Sequence, residues 1–110
     1  MKPVNRQQKT GKEIMKHDIL VKYKPEIGRE RKAELIPEIT ELFGHLTEIE
    51  GIHGVKLYPN IVDRENRYDL LIEIDMEREA LEVYDASVWH KQWKEQYGGL
   101  LEKKAIFDHE

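Results

Sequence analysis

The sequence predicts an α+β fold, a ferredoxin-like βαββαβ chain with one four-stranded antiparallel sheet. Three observations carry this. "EIMKHDILVKYKP" and "RYDLLIEIDM" alternate apolar and polar residues at period two, as half-buried strands do. Between them the period changes to that of a helix. After the second alternation come two short helical segments and a closing strand, which completes the split βαβ order.

The first strand places Met15, His17, Ile19, Val21 and Tyr23 on one face. Lys16, Asp18, Leu20, Lys22 and Lys24 take the other, and Pro25 stops the strand. From about Arg29 to Glu48, Ile36, Ile39, Phe43 and Leu46 fall at helical spacing. Pro37 interrupts that helix, removing one hydrogen bond at a cost of about 3 kcal/mol, so a kinked single helix is expected. "GIHGVKLYPN" is a second strand with Val55 and Leu57 on one face, and "NIVDREN" supplies turn residues.

In the third strand Tyr68, Leu70, Ile72, Ile74 and Met76 face one way, and Asp69, Leu71, Glu73 and Asp75 the other. "EREALEVY" is a short helix with Ala80, Leu81 and Tyr84 on its stripe. Asp85 or Ser87 caps a second helix, in which Trp89, Trp93 and Tyr97 repeat every four residues. Gly98 and Gly99 are expected to end it in a left-handed conformation. "LLEKKAIFD" is the last strand.

The bulk numbers bound what such a domain does. At 110 residues, 39% hydrophobic and 36% charged, the chain makes one domain with a small core and a large wetted surface. It has no cysteine, so disulfides, thiol nucleophiles and thiolate metal sites are excluded. No apolar run approaches the roughly 18 residues of a membrane span. The start lacks the apolar core of a secretory signal, and a cytoplasmic setting is expected. Residues 1–12 hold four of the 18 basic side chains and no acid, and are expected to be a disordered basic leader. Residues 13–110 form the domain, and carry 14 basic against 22 acidic side chains, a poor match for nucleic acid.

The sheet face away from the helices sets the lysines of the first strand beside the acids of the third, with Leu20 and Leu71 in the middle. Two leucines on an otherwise charged face need a cover, and a second copy of the same sheet is the simplest one. A homodimer joined through Leu20 and Leu71 is therefore expected.

"MKHDILVKYK", "RYDLLIEIDM", "VYDASVWHKQW" and "AIFDHE" together resemble the stress-responsive dimeric A/B barrel (Dabb) domains, over about residues 14 to 110. The resemblance implies a dimeric α/β barrel, in which two ferredoxin-like subunits pack sheet against sheet. Most members of that family have no known activity. A plant cyclase among them closes a linear polyketide by an aldol reaction. Matched by motif, His17, Tyr84 and His90 take the places of its strand histidine, its tyrosine and its helical histidine. Leu70 stands where the cyclase has another histidine, and Ser87 and Val88 stand where the family pattern has histidine and proline.

Two uses of these residues stay open. His17, Tyr84 and His90 converge on one pocket, also lined by Ile19, Val21, Leu70, Ile72, Trp89 and Trp93, or the histidines are hydrogen-bonded core-edge residues beside core tryptophans. The first gives a small-ligand-binding or non-catalytic homodimer. It also admits a cofactor-free enzyme, cyclase- or isomerase-like, doing acid–base chemistry on a small carbonyl or aromatic compound. There His90 is the base, Tyr84 the oxyanion partner and His17 the orienter. His45, His53 and His109 are scattered without ligand spacing, so no metal is expected, and no cofactor motif is present. Ser87, the single serine, sits as a cap and not as a nucleophile.

Overall fold

A computed structural model describes residues 13 to 110; the basic leader, residues 1–12, lies outside the described residues. The elements run β1 (Ile14–Tyr23), α1 (Arg29–Gly44), β2 (Ile52–Pro59), β3 (Leu70–Glu77), α2 (Ala80–Asp85), α3 (Val88–Tyr97) and β4 (Leu101–His109). The strands form one sheet in the order β2-β3-β1-β4, with β1 antiparallel to both neighbours and β2 antiparallel to β3. This is the predicted βαββαβ ferredoxin-like arrangement.

Alternation in β1 and β3 becomes two faces in three dimensions. Ile19 lies opposite Ile72 and His17 opposite Ile74, and this face packs against the helices. Leu35, Ile39 and Phe43 of α1 cover it from one side, and Tyr84, Trp93 and Tyr97 of α2 and α3 from the other. The two sides meet where Phe43 and Trp93 stand edge to face, ring centroids 5.1 Å apart. Among the described residues no helix is long and apolar enough to cross a membrane.

Two local expectations are corrected. The helix does run through Pro37, but it ends at Gly44 and tightens into a 3₁₀ turn at His45–Glu48. There the Thr47 hydroxyl donates to the Gly44 carbonyl at 3.0 Å, a local bond that competes with helix continuation. Gly98 is right-handed (φ −56°), because α3 continues into a 3₁₀ turn at Gly98–Leu100 instead of stopping. Among the described residues the left-handed glycine is Gly51 (φ 94°), in the turn before β2. Of the two expected caps, Ser87 acts: its Oγ accepts the His90 backbone N–H at 3.1 Å.

Candidate functional site

β1, α2, α3 and β4 bring His17, Tyr84 and His90 together at one end of the helix-covered face. His17 is only 6% exposed, and its Nδ1 lies 2.6 Å from Oδ1 of Asp108. Asp108 is its cross-strand partner on β4. A carboxylate only accepts, so Nδ1 carries the hydrogen of this contact. Tyr84, 1% exposed, stands between the two histidines. Its ring centroid is 5.5 Å from that of His17 and 4.8 Å from that of His90.

His90 is fixed twice over. Its backbone N–H is held by Ser87, and its Nδ1 lies 3.0 Å from the backbone carbonyl of Asp85. A carbonyl also only accepts, so this ring too has its hydrogen on Nδ1 and a free Nε2. Burial lowers the His90 imidazole below its usual pKa, with nearby Lys94 and Lys104 pressing the same way against the Asp85 carbonyl. Burial pushes the Tyr84 phenol well up, and the Asp85 charge adds to that. At neutral pH the site therefore holds a neutral imidazole base beside an un-ionised phenol donor.

These groups border a partly open cavity of about 260 Å³. Ile19, Leu81, Trp93 and Ile106 give it apolar walls, and Asp85 and Lys104 bring charge to its border. An engineered cavity of roughly 150 Å³ holds a benzene ring, so this volume suits a molecule of about one substituted ring. Of the residues named for the pocket, Ile19 and Trp93 line this cavity. Val21 and Ile72 are sealed in the core. Leu70 borders other clefts, and Trp89 stacks on His45 with centroids 6.0 Å apart. Asp108, Lys104 and Ile106 were missed. Their only sequence signal is the register of β4 on β1, and a register follows from packing, not from local pattern.

On the opposite face Leu20 and Leu71 are direct cross-strand partners, half-buried within one chain. Phe107 lies across from Asp18 and is 61% exposed. Lys16 pairs with Asp75 at 3.2 Å.

No family model matches the sequence, and no curated protein matches it. Solved structures do. A dimeric protein of unknown function with a ferredoxin-like fold from Bacteroides fragilis superposes with a TM-score of 0.72 at 16% identity, over 88% of this chain and 95% of that one. A Dabb family protein with a ferredoxin-like fold from Mesorhizobium loti gives 0.67 at 13% identity, over 88% and 95%. The hydroxynitrile lyase of Passiflora edulis gives 0.67 at 16% identity, over 88% and 92%. Likeness at such identities shows the fold: this chain is a ferredoxin-fold domain.

Proposed function

We propose that the protein is a small-ligand-binding domain of the stress-responsive A/B barrel type, working as a homodimer in the cytoplasm. The observation that carries this is the 260 Å³ cavity at which His17, Tyr84 and His90 meet. Apolar walls with a few fixed polar atoms are what a small ring or carbonyl compound requires. The exposed Phe107 and the Leu20–Leu71 pair support a second copy packed on the open sheet face, as does the dimeric state of the Bacteroides fragilis protein. Thermal-shift screening against small aromatic and carbonyl compounds tests the binding. Compounds that raise the wild-type Tm should lose their effect in His90→Ala and Trp93→Leu. A screen without hits, or hits indifferent to both changes, removes the proposal.

A second reading is favoured by the Asp108–His17 contact, which holds the His17 ring in place beside the cavity. In it, the domain is a cofactor-free enzyme acting on a small carbonyl or aromatic compound. His90 Nε2 takes a proton from the substrate, Tyr84 donates a hydrogen bond to the oxyanion that forms, and His17 orients the reacting group. That the Passiflora edulis protein is a hydroxynitrile lyase supports an active enzyme on this fold. His90→Ala and Tyr84→Phe should then abolish turnover with Tm nearly unchanged. Turnover that persists in both would leave binding alone.

A further inference from the structure

We propose that the ligand of the cavity at His17 and His90 is an α-amino acid with an aromatic side chain, bound as its zwitterion. Its carboxylate meets Lys104 and its ammonium meets Asp85. This rests on the small-ligand reading above and names the class of ligand. The two charged residues reach the cavity from different elements, Lys104 from β4 and Asp85 from the end of α2. Alternation along β4 sets Lys104, Ile106 and Asp108 on one face. Asp108 is taken by His17 and Ile106 is apolar wall, so Lys104 is the charge this face leaves to the cavity.

Neither charge is spent within the chain. Among the described residues Lys104 and Asp85 make no ion pair, with each other or with a third group. The neighbouring Lys103 is used elsewhere, its ammonium 5.3 Å from the centroid of the Tyr68 ring. Burial keeps the His90 imidazole below its usual pKa, so it adds no third charge at neutral pH. A ligand with one charge would satisfy one of the two side chains and meet the other with like sign. An α-amino acid carries both signs on one carbon, and charge-assisted hydrogen bonds of about 2.7–2.9 Å would link it to each. Behind the two charges, Ile19, Leu81 and Ile106 form apolar walls, and the volume of about 260 Å³ suits one ring. Tyr84 and Trp93 give that ring aromatic partners.

The test is calorimetric titration of the full chain with L-phenylalanine and with two analogues, phenylpropionate and phenylethylamine, that each lack one charge. L-Phenylalanine should bind at one per chain, about tenfold tighter than either analogue. Lys104→Gln should erase its advantage over phenylethylamine, and Asp85→Asn its advantage over phenylpropionate. Both side chains are exposed, and Asn keeps the backbone carbonyl that holds His90, so both variants should fold. The proposal fails if L-phenylalanine binds no tighter than the analogues, or if its advantage survives both variants. Tighter binding of phenylpropionate would make this a site for anions and overturn it as well. Ring carbonyl compounds that bind where L-phenylalanine does not would sink this assignment and leave the small-ligand reading standing. A protein that binds none of these probes loses both.

Discussion

Asp108 Oδ1 holds His17 Nδ1 at 2.6 Å across the β1–β4 ladder, joining residues 91 positions apart. The pair fixes which ring nitrogen of His17 faces the cavity. Asp108→Ala removes the acceptor and should let both tautomers populate, visible in the ¹⁵N shifts of the ring. The Asp108 side chain is 42% exposed, so solvent screens the pair and the loss of stability should stay below about 1 kcal/mol. Ligand affinity should fall by about tenfold, against no change if His17 is only structural.

His90 gives a pH signature. Burial lowers its folded pKa below the unfolded value near 6.5, so between the two values the unfolded chain binds more protons. The contribution is therefore fully present above about pH 6.5 and lost as pH falls through and below it. Tm measured from pH 8 down to 5 should decline on that limb, and His90→Gln should flatten it. An unchanged profile in the variant would place the titrating group elsewhere.

Leu20→Glu tests the second copy. Within one chain Leu20 is half-buried, so the fold should survive. Sedimentation should show wild-type dimers at micromolar concentration and monomers for the variant, because the symmetric interface receives the new charge twice. Wild-type protein that sediments as a monomer would remove the homodimer.

Gly51→Ala should cost about 1–2 kcal/mol in denaturant unfolding. Its φ of 94° is strained for any L side chain, and an added Cβ would come within 3.2 Å of the Ala80 Cβ. The same change at Gly98, right-handed and with open space around it, should be neutral or stabilising. Equal effects at both positions would contradict the backbone account.

The strands were legible because period two survives into the folded sheet almost residue by residue: each expected inward residue from Met15 to Tyr23 is buried. His17, Tyr84 and His90 were legible through motif and helical spacing, and the structure brings them to one cavity. The helix ends were not, since the 3₁₀ turns after Gly44 and at Gly98 rest on local hydrogen bonds that propensity does not encode. Neither were Asp108, Lys104 and Ile106, nor the reach of His109 to Asp18. All four lie on β4, whose alternation is diluted by a run of charged residues, and only its alignment on β1 gives them partners. Trp89 shows the converse: its helical stripe suggested the pocket, but it rotates onto His45.

Strand β4 neighbours β1 although they are formed at opposite ends of the described chain. During synthesis, the ribosome makes β1, all three helices and the hairpin before the segment that supplies Asp108, Ile106 and Lys104. Until that segment emerges, His17 has no carboxylate anchor, the cavity lacks a wall, and one edge of β1 stays open to pairing. A nascent chain stalled short of residue 101 would thus have most of its core yet be unable to hold a ligand, and its bare strand would be prone to capture by a neighbouring polypeptide.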